Sequence, residues 1–434
     1  MLVTYEAGAV MDAGAGGEAR VHRPGAVAMR GGRVVAAGAP GEVRRLAGRA
    51  DRVVSMPDSL LVPGLVNAHA HLDLTRMGRR PFDGDFPAWA RMVRAGRPSD
   101  AAGRAAAIGE GLALSRAAGV LRIGDIVAED ADEAEVDADD EHGEGVGGSG
   151  DGSGGVGVGG VRFAELFGLG PPFDAAAVAR IEACGAGIGT GVGAVWRRGW
   201  QPHAPYSAGP GVYAAASASG APVSTHLAET RAELEFVATG RGPFRAMLES
   251  LGKWEEGFGR HYEGGLSPVA WLLGASGPCG EAARGRRWLC AHCNYVDDGD
   301  IALLAARGAS VAYCPRSSGY FGHAGHRYRE MLAAGVNVCL GTDSIVCHGS
   351  LGVVEEMRLL HRRDGVGGEA LLAMATRRGA RGLGLEPADA AFEPGRSPGL
   401  VALPFDRTRD EDALEQVLRA DARRVVPRVL EVVA

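Results

Sequence analysis

The sequence lacks several features that would assign its class at once. No apolar run approaches the roughly 18 residues that a membrane helix requires. The first residues contain neither a basic segment nor an apolar one of the kind that directs secretion, so we expect a cytoplasmic protein. Seven cysteines, an odd number scattered over 434 residues, favour reduced thiols over a disulfide framework.

Lysine is almost absent, since Lys253 is the only one and arginine supplies the remaining basic residues. The formal net charge is -7. The segment 128–160 accounts for this charge, because it contains eleven Asp and Glu residues and no Lys or Arg. This balance predicts no nucleic-acid-binding surface. We expect a small-molecule substrate and no membrane partner, and we leave a homodimer open.

Apolar runs alternate with Ala-rich helical stretches through the middle of the chain. This alternation is typical of parallel strands connected by helices, and eight such strands predict an α/β fold with a (β/α)8 barrel. The chain is long enough for a barrel of about 250 residues and a smaller second domain. The predicted strands are 62–69, 120–127, 161–168, 196–203, 221–226, 287–292, 310–314 and 336–343.

Short β-type runs occur near both ends of the chain, as in "GAVAMRGGRVVAAG" and "GRSPGLVALPFD". We predict a small β-sandwich built from residues 1–62 and 385–434, with the barrel at 63–384. The acidic and Gly-rich segment 128–160 cannot bury enough apolar surface to offset its ordering entropy, so it is predicted to be a disordered insertion. A cation-binding loop is the alternative, although its acids lack the Asp-x-Asp-x-Asp-Gly order of calcium loops.

Histidines gather at the predicted strand ends. In "LVPGLVNAHAHLDL", His69 and His71 point to the same side of a strand, at the end where barrel enzymes place their active sites. A histidine at the edge of the core would explain any one such position, but not all of them together. Imidazoles with one carboxylate suit Zn²⁺ or Fe²⁺ and leave a position for water. The other strand-end residues are His203, His226, His292 and Asp343.

Five motifs, "PGLVNAHAHLDL", "PHAPYS", "THLAET", "AHC" and "LGTDS", resemble in order and spacing the markers of the amidohydrolase superfamily. The resemblance is to its aminohydrolase branch, which contains guanine, adenosine-type and aminodeoxyfutalosine deaminases and triazine chlorohydrolases. It implies that Glu229 shuttles protons, that His292 polarises the water or the reacting carbon, and that His203 contacts the substrate. It also implies four metal ligands, His69, His71, His226 and Asp343.

The implied reaction is hydrolytic deamination of a purine-like amino-heterocycle, with one Zn²⁺ or Fe²⁺ per chain and release of ammonia. Asp343 can accept a proton from the attacking water, and Glu229 can protonate a ring nitrogen. Aminodeoxyfutalosine or a related adenine nucleoside is the first choice of substrate. Guanine, S-adenosylhomocysteine, methylthioadenosine and a chlorinated triazine stay open as alternatives. A metal-stabilised binding protein without turnover is the non-enzymatic alternative.

The scarcity of lysine also bears on the metal count. Two-metal members of the superfamily bridge their metals with a carboxylated lysine at the end of the fourth strand, where this chain has "QPHAPYS". Lys253 lies between the fifth and sixth predicted strands. The sequence therefore predicts a site for a single metal ion.

Two loops are predicted to line the substrate pocket. After the seventh strand the chain has "CPRSSGYFGH" where many relatives have CPxSN, which makes Arg316 and Ser317 candidate substrate contacts. After the first strand, "FDGDFPAWARMV" contains Phe86 and Trp89, whose rings can stack on a flat heterocycle. The alternative for this segment is a surface helix that turns an aromatic side chain inward.

Overall fold

The computed structural model of the protein describes residues 1–128, 157–184, 196–254, 259–262, 264–280, 287–421 and 426–430. Most of the predicted insertion at 128–160 lies outside the described residues. Two β-sheets organise the rest, one with eight parallel strands and one with seven strands. No helix in these described ranges is long and apolar enough to cross a membrane.

The eight-stranded sheet is the barrel that the sequence predicts, so the predicted fold class is confirmed. Its strands pair in chain order, and every pairing is parallel. The strands are β6 (Leu65–Ala70), β7 (Val120–Val127), β8 (Gly159–Leu166), β9 (Trp196–Pro202), β10 (Val223–Leu227), β11 (Trp288–His292), β12 (Ser310–Tyr313) and β13 (Asn337–Leu340).

The barrel closes where the end of β13 meets β6. The carbonyl oxygen of His69 accepts hydrogen bonds from the N–H groups of Thr342 (3.0 Å) and Asp343 (2.9 Å). Asn67 adds a side-chain link, donating to Thr342 Oγ1 (2.7 Å) and accepting from Thr342 N–H (3.0 Å). The first and last strands therefore bring His69 and Asp343 side by side.

The second sheet combines both ends of the chain. Its fifth strand pairs in parallel with the first strand and antiparallel with a strand near the C-terminus. The fifth strand ends at Pro63 and β6 begins at Leu65, so only Gly64 separates these two strands of different sheets. A side chain at Gly64 would collide with the carbonyl oxygen of Pro398. The strands are β1 (Leu2–Asp12), β2 (Arg20–His22), β3 (Gly25–Arg30), β4 (Arg33–Gly38), β5 (Arg52–Pro63), β14 (Leu400–Pro404) and β15 (Arg428–Val429).

The region predicted as a β-sandwich thus contains one hydrogen-bonded sheet of seven strands. Its strands come from the two chain ends, as the sequence predicts. The domain boundaries at 1–62, 63–384 and 385–434 stay a prediction.

Most barrel strands are buried along nearly their whole length, which explains why they are short and largely apolar. Every residue of β11 is buried, for example. Strand β9 is the exception, because its first three residues, 196–198, are partly or fully exposed. Several of the helices begin at a side-chain cap. Before the helix that follows β11, Asp297 accepts a hydrogen bond from Asp300 N–H (2.8 Å), and the Asp300 carboxylate accepts one from Asp297 N–H (3.2 Å).

Helices surround the barrel and connect its strands. Short 3₁₀ segments occur at Leu72–Met77, Arg260–Tyr262 and Pro387–Ala390. The helices are α1 (Pro40–Ala47), α2 (Phe86–Gly96), α3 (Ala101–Ala117), α4 (Pro171–Cys184), α5 (Pro210–Ala218), α6 (Arg231–Thr239), α7 (Pro243–Ser250), α8 (Pro268–Leu273), α9 (Asp298–Ala306), α10 (Pro315–Tyr320), α11 (Tyr328–Ala333), α12 (Ile345–His348), α13 (Val353–Asp364), α14 (Gly368–Met374), α15 (Arg377–Gly382) and α16 (Ala413–Arg419).

Candidate metal centre and active site

The strand ends at one rim of the barrel have unusual backbone geometry. Among the described residues, four that are not glycine have a positive φ: Ala228 (49°), His292 (71°), Cys293 (51°) and Asp343 (59°). All four lie at or just after the ends of β10, β11 and β13. Residues other than glycine rarely adopt a positive φ, and such backbone strain is concentrated at functional sites.

The four predicted metal ligands converge at this rim. His226 Nε2 lies 3.4 Å from His71 Nε2, and Asp343 Oδ1 lies 3.6 Å from the same nitrogen. One ligand atom each from His69, His71 and Asp343 lies within 4.8 Å of the others, and so does one each from His69, His226 and His292. The structure therefore brings together side chains that are up to 274 residues apart in the chain.

The donor groups of this cluster fit a metal ion. His69 is fully buried, and neither of its ring nitrogens has a hydrogen-bond partner in the described part of the chain. His226 Nδ1 lies 2.9 Å from the carbonyl oxygen of His203, and donating to it leaves the Nε2 lone pair facing His71. Burial, and next the neighbouring His226, hold the pKa of both His69 and His71 well below the usual value. These imidazoles are neutral, as ligation requires.

The orientation of Asp343 is set by the hydroxyl of Ser317. Ser317 Oγ donates to Asp343 Oδ2 (2.5 Å), and Cys347 Sγ lies 3.7 Å from the same oxygen. The other carboxylate oxygen, Oδ1, faces His71. Burial raises the pKa of Asp343, and the Ser317 hydrogen bond opposes this shift. Ser317 thus contacts a predicted ligand, whereas its predicted contact with substrate stays a prediction.

Arg316, the other candidate in this loop, is held against α13. Its Nε donates to Glu356 Oε1 (2.7 Å), its backbone N–H donates to Glu356 Oε2 (2.9 Å), and Nη2 donates to Gly352 O (3.1 Å). Glu356 is fully buried. The structure gives the Arg316 guanidinium this anchoring contact, which fixes the start of α10 and so the position of Ser317. Its contact with substrate stays a prediction.

Glu229 lies beside the cluster, two residues after β10. Its Oε1 is 3.7 Å from His292 Nε2. The buried Glu233 carboxylate accepts hydrogen bonds from the N–H groups of Ala228 (2.8 Å) and Glu229 (2.8 Å) and so fixes this loop. Burial, and next the charges of nearby carboxylates, raise the pKa of Glu229 well above its usual value. A carboxyl group that retains its proton in this way can act as a general acid.

His292 is buried against the other imidazoles at the end of β11. Its ring centroid lies 5.3 Å from that of His69 and 5.4 Å from that of His226. Its carbonyl oxygen lies 2.7 Å from His326 Nε2, which ties the strand end to the loop before α11. Burial, and next the neighbouring histidines, hold the pKa of His292 well below the usual value, so its ring is neutral.

His203 occupies the edge of the pocket on the β9 side. Its Nδ1 lies 2.5 Å from Ser207 Oγ, and its ring stacks on Phe167 with centroids 4.7 Å apart. Its Nε2 is 3.7 Å from Glu165 Oε1. Burial lowers the pKa of His203 to about 3, although the negative charge of Glu165 opposes that shift. The imidazole is therefore neutral.

Phe86 and Trp89 lie on helix α2, as the alternative interpretation of that segment predicts. Trp89 Nε1 donates to the Tyr320 hydroxyl (3.0 Å), and its ring meets that of Phe321 edge to face at 4.8 Å. The Phe86 ring lies 6.2 Å from that of Phe244. The two side chains thus pack in an aromatic cluster, and their stacking on substrate stays a prediction.

Two parts of this site are not predicted by the sequence. Glu233 has a recognisable signal, because Thr230 and Glu233 have the spacing of a capping box and Thr230 Oγ1 accepts from Glu233 N–H (3.1 Å). The carboxylate, however, reaches past Thr230 to the two preceding N–H groups. Arg97 and Glu165 have no local signal, because their 2.7 Å contact joins residues 68 positions apart.

Residues 178–422, more than half of the chain, match the amidohydrolase family. The protein belongs to the amidohydrolase family, as its motifs predict.

Relatives of this chain include a 5-methylthioadenosine/S-adenosylhomocysteine deaminase from Pelotomaculum thermopropionicum, which is 33% identical over 220 residues. That match covers 48% of this chain and 43% of the relative, less than half the length of either. A protein of the same name from Symbiobacterium thermophilum is 27% identical over 416 residues, covering 90% of this chain and 83% of the relative.

Among solved structures, Helicobacter pylori aminofutalosine deaminase in complex with methylthio-coformycin superposes with a TM-score of 0.76. The match covers 99% of this chain and 98% of that one at 18% sequence identity. At this identity the likeness supports the barrel fold alone.

Proposed function

We propose that the protein is a metal-dependent aminohydrolase that deaminates an adenine nucleoside by hydrolysis and releases ammonia. The observation that carries the proposal is the buried Glu229 carboxyl group, 3.7 Å from His292 and next to a cluster of histidines and one aspartate, where burial raises its pKa well above the usual value. The names of the relatives support an adenine nucleoside as the substrate. Aminodeoxyfutalosine or a related adenine nucleoside is our first choice, and 5-methylthioadenosine or S-adenosylhomocysteine is the second.

His69, His71, His226 and Asp343 would hold one Zn²⁺ or Fe²⁺, and we favour zinc because three imidazoles and one carboxylate suit it. When bound, such an ion lowers the pKa of water and makes it a nucleophile near neutral pH.

The protein's own residues would then move the protons. Asp343 accepts a proton from the attacking water, and Glu229 donates a proton to a ring nitrogen, which makes the amino-bearing carbon a better electrophile. His292, 3.7 Å from the Glu229 carboxyl, steadies the attacking oxygen. Asp343 then passes its proton to the exocyclic amino group, which leaves as ammonia, and the added hydroxyl group returns a proton to Glu229. The product carries a carbonyl oxygen in place of the amine and keeps the proton on the ring nitrogen.

The test is ammonia release by metal-loaded protein from a panel of adenosine, 5′-deoxyadenosine, 5-methylthioadenosine, S-adenosylhomocysteine, aminodeoxyfutalosine and guanine. We expect turnover of at least one adenine nucleoside. Glu229→Gln should lower kcat by about 100-fold or more with metal content unchanged. The matched control is Glu249→Gln, at an exposed carboxylate on α7 that pairs with Arg245 (2.8 Å), and it should match the wild type. A panel that yields no ammonia would refute the proposal.

A further inference from the structure

The carboxylate of Glu165, at the end of β8, lies in the pocket but has no role in the mechanism above. Its side chain is 3% exposed, comparable with 7% for Glu229 and 2% for His292, so it lies as deep as the proposed catalytic groups. One carboxylate oxygen of Glu165 and one ring nitrogen each of His203 and His226 lie within 4.8 Å of one another. Glu165 is therefore close to His226, on the β8 and β9 side of the proposed metal centre.

Arg97 fixes one side of this carboxylate. The guanidinium bridges two acidic residues, donating from Nη1 to Glu165 Oε2 (2.7 Å) and from Nε to Asp73 Oδ2 (2.6 Å). Charge-assisted hydrogen bonds of this length hold both partners in place. No hydrogen bond from the described residues reaches the other oxygen, Glu165 Oε1, which is turned toward His203.

His203 presents an acceptor to that oxygen. The Ser207 hydroxyl donates to the carbonyl oxygen of Ala204 (3.2 Å), so it accepts from His203 Nδ1–H. In a neutral imidazole with its proton on Nδ1, Nε2 has only a lone pair. His203 Nε2 and Glu165 Oε1 are thus two acceptors 3.7 Å apart, and a donor group is needed between them.

The chemistry of an adenine nucleoside identifies that donor. Its base has a single donor group, the exocyclic amine, which is the group that leaves. Glu229, His292 and Asp343 lie at or just after the ends of β10, β11 and β13, whereas Glu165 and His203 lie at the ends of β8 and β9. The edge of the base that faces away from the reacting carbon has only acceptors, so a donor on the far side must be a sugar hydroxyl.

We propose that Glu165 is a substrate-recognition residue whose Oε1, together with His203 Nε2, accepts a hydrogen bond from a ribose hydroxyl. This inference rests on the proposed function. It also implies a preference for an uncharged sugar at this place, because a phosphate or carboxylate there would face the Glu165 charge.

The test compares Glu165→Gln with wild type on adenosine and its 2′-deoxy, 3′-deoxy and 5′-deoxy analogues, measured as kcat/KM for ammonia release. A hydrogen bond to a charged group corresponds to about a 10- to 100-fold effect, so we expect that loss on adenosine. For at least one deoxy analogue the loss should shrink to less than about threefold, because the donor is already missing. An equal loss on all four nucleosides, or no loss, would overturn the proposal.

Two further variants keep the test decisive. Ser207→Ala frees His203 to carry its proton on Nε2, and we expect the same substrate-dependent pattern as for Glu165→Gln. Glu356→Gln breaks a buried Glu–Arg pair of similar length, 2.7 Å to Arg316, outside this subsite. Its effect should be uniform across the four nucleosides. Metal content and Tm are measured for each variant.

The outcomes separate this inference from the proposed function. If the wild type releases no ammonia from any nucleoside, the proposed function is wrong and this inference falls with it. If the wild type is active and Glu165→Gln and Ser207→Ala each lower kcat/KM uniformly, only the recognition role of Glu165 is wrong.

Discussion

Two buried carboxyl groups of the site differ in what surrounds them. Burial and neighbouring carboxylates raise the pKa of Glu229 well above its usual value. Burial also favours protonation of Glu165, but the charge and hydrogen bond of Arg97 together with the neighbouring His203 and His226 outweigh it, so the pKa of Glu165 is lower than usual. One carboxyl group retains a proton to donate and the other retains a charge that accepts hydrogen bonds. Environments that push such pKa values apart assign acid and acceptor roles within one pocket.

The Ser317 hydroxyl offers a test of how Asp343 is oriented. Ser317→Ala removes the 2.5 Å hydrogen bond to Asp343 Oδ2 and frees the carboxylate to rotate. We expect kcat to fall about 10-fold or more with little change in KM, since hydrogen bonds to charged groups contribute about 1.5 to 3 kcal/mol.

The neighbouring serine is the control for this variant. Ser318 is equally buried but donates to Asn294 Oδ1 (2.8 Å) instead of Asp343. Ser318→Ala should therefore change kcat much less. Equal effects of the two substitutions on kcat would show that Ser317 does not act through Asp343.

Asp125 predicts a pH dependence of stability. Its Oδ1 accepts a hydrogen bond from Leu72 N–H (3.0 Å), while Oδ2 is buried without a partner in the described residues. Burial raises its pKa to about 7 from 3.8. Between these two values the folded state binds a proton that the unfolded state has released, so this group makes the free energy of unfolding fall as pH rises.

The measurement is urea unfolding of chelator-treated wild type and Asp125→Asn at pH 5, 6, 7 and 8. Asparagine can still accept from Leu72 N–H but never ionises. The free energy of unfolding of the variant, relative to wild type, should therefore rise between pH 5 and pH 7 and level off above. A difference that stays constant with pH would contradict the assigned protonation of Asp125.

At the scale of secondary-structure elements, helix α2 connects the aromatic cluster to the barrel. It begins after Asp85, whose carboxylate accepts from Ala88 N–H (2.9 Å), and it carries Phe86 and Trp89. Arg97, at its C-terminal cap, bridges the carboxylates that follow β6 and end β8. A change in the order of this one helix would therefore reach both the aromatic cluster and Glu165.

The cap of α2 can be removed without touching the site. Asp85→Ala should cost about 1 kcal/mol of helix stability, the usual effect of losing an N-cap side chain. We expect KM to rise up to about fivefold while metal content stays the same.

Asp100→Ala is the matched control, because Asp100 caps α3 through Gly103 N–H (2.7 Å). Asp100→Ala should lower Tm by about as much as Asp85→Ala does, but it should leave KM unchanged. If both variants raise KM equally, α2 has no special connection to the substrate pocket.

The sequence predicts the barrel strands well because most of them are apolar runs bounded by turns, and the motifs that carry His69, His226 and Asp343 lie at the ends of such runs. It does not predict contacts that depend on how elements pack. The sequence does not predict that the Arg316 guanidinium pairs with Glu356 or that the Ser317 hydroxyl donates to Asp343. These contacts depend on the packing of α10 against α13, which no local pattern encodes.

At the scale of the whole molecule, the proposed metal centre lies across the closing seam of the barrel. His69 lies in the first strand, His71 directly follows it, and Asp343 lies three residues after the last strand. The seam itself is held by backbone hydrogen bonds at His69 and by the Asn67 side chain. A metal bound by these residues would link both ends of the barrel sheet and stabilise its closed form.

Removal of the metal should therefore lower the stability of the whole fold. A ligand that binds only the folded state at 1,000 times its Kd adds about 4 kcal/mol to the free energy of unfolding. We expect the Tm of wild type to fall after chelation and to recover when Zn²⁺ is added.

His71→Ala should lose most of this metal-dependent shift in Tm, because it removes a ligand. His203→Ala keeps the carbonyl oxygen that His226 contacts and should retain the shift. Loss of the shift in His203→Ala but not in His71→Ala would place the metal at the Glu165, His203 and His226 group instead.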